Sequence, residues 1–266
     1  MFERVKVATE RLDPSNPYGQ YPLLRSLAAY EFAKSYTRGR RVLDAPSGAG
    51  HGILHLAGEA LTLIGCDISC DALKYAKKNS PQRSIYFCGG DLFQLPFQNE
   101  SFDVVLSFQV VEHFVSVERY FQEMRRVLKK DGLLLLATLN KEKTSSGLNP
   151  YHVKEYTYPE FKALVHSYFP DAKMFGLVGS ARYMKLRHSE ERFGKLFASL
   201  DPWGLHQKIP KRWWELCYLF CTYFVNFIVT KRHLPESDTL TLQDFKFIQE
   251  NLSETLDFMA VCTKKS

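Results

Sequence analysis

RVLDAPSGAGHG, residues 41–52, reads as a short apolar strand, a glycine-rich turn and the first residues of a helix. Gly48, Gly50 and Gly52 permit a tight turn and let a ligand approach main-chain N–H groups. Beyond it, 62–67 (TLIGCD), 84–88 (SIYFC), 103–108 (DVVLSF) and 132–139 (GLLLLATL) are further apolar runs, of the kind found in a sheet covered on both faces. Between the strands lie helical patterns. Val117, Tyr120, Phe121, Met124, Val127 and Leu128 form one stripe at the 3.6-residue period, predicting a helix over 117–129 that ends in Lys129-Lys130-Asp131 with Gly132 as its left-handed cap. An earlier helix is expected to start behind Ser69 as N-cap and to turn Ala72, Leu73 and Ala76 inward. Strand and helix in strict alternation imply a doubly wound α/β fold with a mostly parallel sheet, whose ligand sits at the carboxyl ends of the strands. The chemistry is therefore expected in the loops after residues 45, 67, 90 and 107.

Beyond residue 140 the pattern continues with a helix over 156–169, a strand over 173–179 and a strong closing strand over 256–263. Residues 1–179 and 236–266 then form one domain, with 180–235 as a helical insertion between the last two strands.

Three acids stand at successive strand tips. Asp44 lies four residues before the first glycine, where it would repel a dinucleotide pyrophosphate; two unit charges about 4 Å apart interact by roughly 4 kcal/mol at an effective dielectric of 20. A cationic ligand carrying an ammonium and a sulfonium fits the same place. The dehydrogenase spacing G-x-G-x-x-G also fails, because residue 53 is Ile. Asp67 ends the next strand, where a doubly wound fold places an acid on the ribose hydroxyls. Asp91 follows the third strand, placed to accept from an adenine amino group, with Ile68 and Leu92 available to sandwich the ring. Singly, each acid would read as a solvated loop residue; three in one register point to a ligand.

These motifs together, VLDAPSGAGHG, GCDIS, GGDLFQLPF, SFDVVLSFQVVEH and RRVLKKDGLLLLATLN, resemble the class I S-adenosylmethionine-dependent methyltransferases over about residues 30–140, in the branch that acts on small-molecule and lipid acceptors. Residues 1–40 and NPYHVKEYTYPEF (149–161) are also similar to bacterial members that modify surface glycans and sugars. The resemblance implies a Rossmann-like seven-stranded sheet with an antiparallel last strand. It implies S-adenosyl-L-methionine as cofactor and S-adenosyl-L-homocysteine as product. Cofactor contacts carried over by the motifs are Asp44, Ala45, Ser47, Gly48 and Gly50 at the methionine end, Asp67 and Ile68 at the ribose, Asp91 and Leu92 at the adenine, and Phe108 and Gln109 beyond the fourth strand. One departure is Pro46-Ser47, where many relatives have Gly-Cys.

Methyl transfer to an aliphatic hydroxyl needs a base beside the acceptor. Glu112, His113 and His152 are the candidates, with Glu155 near them; His113 and His152 remain alternatives for the base. Some quinone O-methyltransferases extend the pair to E-x-x-E-H and hold a metal there; here the first position is Gln109, so no metal is expected. The expected activity is O-methylation of a sugar, glycan or lipid-linked small acceptor. Quinone or lipid methylation is the alternative, and a regulatory or scaffold protein that binds the cofactor without turnover is the rival from another class.

Charge locates the acceptor side. The 266 residues contain 35 Lys+Arg and 29 Asp+Glu, a net +6. Residues 181–232 hold ten of the basic and four of the acidic residues, so the whole excess falls in the insertion, together with all three tryptophans. Within it, 213–229 (WWELCYLFCTYFVNFIV) has 14 apolar residues in 17, between Lys211-Arg212 and Lys231-Arg232. A spanning helix needs about 20. A lid over the acceptor is favoured, with an interfacial helix that makes peripheral membrane contact through 211–232 and a true span as the other readings. Nucleic acid is disfavoured as a partner: the position after the fourth strand reads Ser107-Phe108-Gln109-Val110, without the Asn/Asp-Pro-Pro-aromatic motif of base methyltransferases. The six cysteines, none in a CxxC pair, are read as small buried hydrophobes. No apolar export segment opens the sequence, so a cytoplasmic protein is expected.

Overall fold

The structure, a computed structural model, describes residues 20–80, 84–144, 149–199 and 239–265, together with scattered positions between 210 and 224. An eight-stranded sheet runs through it in the order β3-β2-β1-β4-β5-β8-β6-β7. The strands are β1 (Arg41–Asp44), β2 (Thr62–Asp67), β3 (Ile85–Gly89), β4 (Phe102–Phe108), β5 (Leu128–Leu139), β6 (Lys173–Gly179), β7 (Phe245–Ile248) and β8 (Asp257–Thr263). β3, β2, β1, β4 and β5 run parallel to one another, whereas β8 is antiparallel to both β5 and β6. The expected seven strands are thus present and an eighth is added. β7, four residues long, pairs antiparallel with β6 at the sheet edge. The insertion consequently leaves the sheet after β6 and returns into β7, so two strands follow it rather than one.

Burial on both faces explains the continuous apolar runs. Along β4, Val104, Leu106 and Phe108 join a core with Ala29, Tyr30 and Ala33 of α1 (Gln20–Thr37) and Ile53 of α2 (His51–His55). Phe102 and Val105 join the core on the other face, with Tyr120, Phe121 and Met124 of α4 (Glu118–Val127) and Phe161 and Val165 of α5 (Tyr158–Tyr168). Each large apolar side chain so buried contributes about 1.5–3 kcal/mol.

Ser69 caps α3 (Cys70–Lys78), its hydroxyl accepting from the Ala72 N–H at 3.3 Å, and Ala72, Leu73 and Ala76 are buried as the pattern predicts. α4 stops two residues short of the expected end because Leu128 already enters β5. The left-handed residue there is Asp131 (φ 60°), not Gly132. Gly132 serves close approach instead: a Cβ would lie 2.9 Å from the Lys129 carbonyl oxygen. The reading of all six cysteines as buried is corrected too. Cys66 and Cys262 are buried, Cys88 and Cys221 half-buried, and Cys70 and Cys217 exposed on helices. Small size fits a cysteine to either environment, so composition does not distinguish them.

Candidate functional site

The loops after β1, β2, β3 and β4 open into one cavity of about 1370 Å³ at the carboxyl ends of the strands. A single small-molecule site occupies roughly 300–1,000 Å³, so this volume exceeds the usual need of one ligand. Of the expected cofactor residues, Ser47, Gly48, Asp67, Ile68, Asp91, Leu92, Phe108 and Gln109 line it, as do Glu112, His113 and His152. Asp44, Ala45 and Gly50 stand behind the wall.

The glycine turn is held from below. Gly50 has φ 83°, a left-handed conformation, and a Cβ on it would come within 2.7 Å of the Ala76 Cβ. The Asp67 carboxylate accepts the Gly48 N–H at 2.8 Å and the Ser69 N–H at 2.8 Å, tying the loops after β1 and β2 together. The loop carrying Asp91 is pinned by α4. Arg126 donates to the carbonyls of Leu95 (3.0 Å) and Phe97 (2.7 Å), and Glu123 accepts the Leu95 N–H at 2.8 Å. Asp91 itself accepts the Phe93 N–H at 2.9 Å. Ile68, 51% exposed, presents an apolar face to the cavity from the β2 side.

Asp44 is fully buried, and the Tyr30 hydroxyl donates to its two oxygens at 3.2 and 3.3 Å. Burial raises the Asp44 pKa well above the ordinary carboxylate range, against the Tyr30 bond, which lowers it. Gly52 is what admits Tyr30, because a Cβ there would overlap the phenol ring. Tyr30 thus stands between Asp44 and the cavity that it lines.

The residues fit the cofactor that the motifs imply. The Ser47 hydroxyl is buried in the cavity wall with no hydrogen-bond partner. A Cβ on Gly48 would meet nothing within 4 Å, which leaves that backbone open to a ligand. Asp67 and Asp91 on the cavity wall, with a neutral imidazole beside them, suit a cationic ligand. His51, beside this loop, is pushed down to about 4 by burial and carries no charge near neutral pH.

Across the cavity lies a second cluster. Val111–His113 forms a single 3-10 turn after β4, and the Glu112 carbonyl accepts the N–H groups of Val153 (2.8 Å) and Lys154 (3.0 Å). This staples the segment 149–156 to the end of β4. The Glu112 carboxyl is buried and takes a hydrogen bond from Thr138 at 2.8 Å; burial raises its pKa, with His113 and His152 opposing. His113 Nδ1 meets the Tyr151 carbonyl at 3.0 Å. A carbonyl only accepts, so Nδ1 carries the proton and Nε2 is the basic nitrogen. His152 Nδ1 meets Glu155 at 2.6 Å, and its Nε2 takes the Asn149 amide at 3.0 Å. The Asn149 orientation follows from its oxygen accepting the Tyr151 N–H at 3.0 Å. The two rings meet edge to face at 5.1 Å. Ligand atoms of Glu112, His113 and His152 also lie within 4.8 Å of one another, close enough for a metal ion, a grouping that His152 completes from a distant loop.

Several cavity residues escaped the sequence reading. Arg25 of α1 makes a bidentate pair with Asp257 of β8 (2.7 and 2.5 Å), which also accepts the Gln109 side chain at 3.1 Å. Tyr30, His51, Arg119, Tyr183, Arg187 and Tyr218 line the cavity as well. The spacing of Pro22, Arg25, Ser26, Ala29 and Tyr30, one helical face, is the signal that could have found the α1 set.

Comparison with known proteins agrees with this geometry. The sequence profile described as a methyltransferase domain matches residues 43–136. A Mycobacterium tuberculosis protein named as a probable S-adenosylmethionine-dependent methyltransferase is 31% identical over 190 residues, covering 70% of this chain and 68% of the relative. A ubiquinone biosynthesis O-methyltransferase of Glaesserella parasuis is 30% identical over 147 residues, 51% of this chain and 61% of the relative. Among solved structures, a SAM-dependent methyltransferase of Thermotoga maritima superposes with a TM-score of 0.58 at 16% identity, over 93% of this chain and 94% of the other, a likeness of fold.

Proposed function

Because this chain belongs to the S-adenosylmethionine-dependent methyltransferases, we propose that it methylates a hydroxyl of a sugar, glycan or lipid-linked small acceptor, with His113 as the general base. The bound cofactor supplies a methyl group on a positively charged sulfur. Held by the loops of Ser47, Gly48, Asp67 and Asp91, it would give up that methyl to the acceptor oxygen, the S–CH3 electron pair leaving with sulfur, and His113 Nε2 would take the hydroxyl proton. The observation that carries this reading is the Tyr151 carbonyl on His113 Nδ1, which presets the basic tautomer in the cavity wall. His152 is less suited, because its Nε2 already takes the Asn149 amide. Glu112, buried against both rings, favours the imidazolium that forms.

Room and charge support the acceptor class. The cavity is large enough for cofactor and acceptor together, and Arg119 and Arg187 on its wall suit a phosphate-bearing molecule. The Glaesserella relative's name favours a second reading, a quinol hydroxyl, which the same base would serve.

Release of S-adenosylhomocysteine on a panel of glycosides, sugar phosphates, lipid-linked sugars and quinols tests both. His113→Ala should lower kcat by roughly 10²–10⁴-fold while cofactor affinity, read by calorimetry, holds. His152→Ala should cost less. Loss of cofactor affinity in His113→Ala, or the larger kcat loss in His152→Ala, overturns the assignment; binding without release on every acceptor favours a regulatory role.

A further inference from the structure

Every described residue from 212 to 224 is helical, and the helix starts where the N–H groups of Trp213 and Trp214 bond the Pro210 carbonyl at 2.8 and 3.2 Å. Trp213, Cys217, Phe220 and Phe224 follow at i, i+4, i+7 and i+11, one stripe of a helix. All four are exposed: Trp213 by 64%, Phe220 by 70% and Phe224 by 46%, with Cys217 between them. The Phe220 and Phe224 rings lie nearly parallel, 6.3 Å apart at 8°. The adjoining stripe, Trp214, Tyr218 and Cys221, is half-buried, and Tyr218 reaches the cavity wall. One helix therefore borders the acceptor cavity and at the same time turns an aromatic row to solvent.

An aromatic row of this kind is stable in contact with something apolar. Charge says what. The segment 181–232 carries the chain's entire net +6. Arg212 is exposed at the head of the stripe, and Lys185 and Arg192 are exposed on the preceding helix α6 (Ala181–Ser199). Among the described residues no helix is long and apolar enough to cross a membrane. A short helix with an apolar stripe, a tryptophan at one end and Lys211-Arg212 before it in sequence has the character of one that lies in the headgroup region of a bilayer.

We infer that the Trp213-Cys217-Phe220-Phe224 stripe docks the enzyme on an anionic bilayer surface. The cations approach the lipid phosphates while the aromatic row enters the acyl boundary, and each Lys or Arg near the leaflet raises binding by roughly fivefold. Docked this way, the helix places the Tyr218 side of the cavity next to the membrane, where a lipid-linked acceptor would be presented. That last step rests on the proposed acceptor class, whereas the docking does not.

Co-sedimentation of the full chain with phosphatidylcholine vesicles, with and without phosphatidylglycerol, at low and high salt, tests the docking in the absence of any acceptor. The expected result is binding to the anionic vesicles, weakened by salt. Trp213→Ser with Phe220→Ser should lower the partition coefficient roughly tenfold or more, with unchanged affinity for S-adenosylmethionine as the control for folding. Arg212→Glu should weaken binding to anionic vesicles roughly fivefold or more. Absence of binding, or equal binding by the double variant, overturns the proposal. So does concentration-dependent self-association without lipid that the double variant abolishes, because the stripe would then face a second copy. None of these results bears on the hydroxyl as acceptor, which the release assay reads independently.

Discussion

His51 offers a measurement that checks the cavity wall without any substrate. Its Nε2 lies 3.4 Å from the Ser26 hydroxyl, its Nδ1 is buried without a hydrogen-bond partner, and burial pushes its pKa down to about 4. An imidazole in the unfolded chain titrates near 6.5. Between these values the unfolded state binds the extra proton, so stability falls as the pH drops through 6.5 and levels off below about 4. A displacement of about 2.5 units amounts to about 3 kcal/mol in full, of which about 2 kcal/mol is lost by pH 5. His51→Gln keeps a polar group opposite Ser26 and cannot titrate. Urea unfolding of both proteins, in steps from pH 7.5 to 5, isolates this group because all other titrations are shared. The wild type should lose about 2 kcal/mol more than the variant over that range. A difference below about 0.5 kcal/mol would refute the reasoning, since it would mean that the ring is hydrated and charges normally.

Tyr30→Phe removes the hydroxyl that serves the buried Asp44 and should cost about 1–3 kcal/mol near neutral pH. Because the Tyr30 bond favours the ionised form, the cost should shrink as acid protonates Asp44; unfolding midpoints that differ equally at every pH would contradict this. Arg25→Met leaves the Asp257 carboxylate buried without its bidentate partner and should cost about 3 kcal/mol. A second change, Asp257→Asn, should recover part of that loss in a double-mutant cycle, and strict additivity would deny the coupling. Dialysis against a chelator should leave turnover unchanged, because Glu155 and Asn149 engage both ring nitrogens of His152 and Thr138 holds the Glu112 carboxyl. Activity lost on dialysis and restored by a divalent ion would make the cluster a metal site.

The strands that carry the site were legible because burial on both faces forces long apolar runs, as in Val104-Val105-Leu106 and Leu134-Leu135-Leu136. The acids were legible because a parallel sheet puts functional side chains at strand tips, and Asp67 and Asp91 do line the cavity. β7 was not, since four residues at a sheet edge leave too short a pattern to read. The shielding of Asp44 was also hidden. It depends on Tyr30 reaching across from a helix that the strand-and-loop reading did not consult, through a gap that only the missing Cβ of Gly52 provides. His113 and His152 could be nominated from sequence, but their hydrogen-bond partners could not, because the Tyr151 carbonyl and the Asn149 amide reach them only through the fold of the loop after β5.

The Arg25–Asp257 pair joins residues separated by 232 positions. During synthesis the first helix emerges long before the last strand, and chains fold as they emerge. Until Asp257 leaves the ribosome, α1 lacks the anchor that fixes Arg25, and Gln109 lacks its partner on β8. The candidate cavity is therefore closed only once β8 has joined the sheet. The long-range pair thus ties the closing of the cavity to the pairing of β8 with β5 and β6.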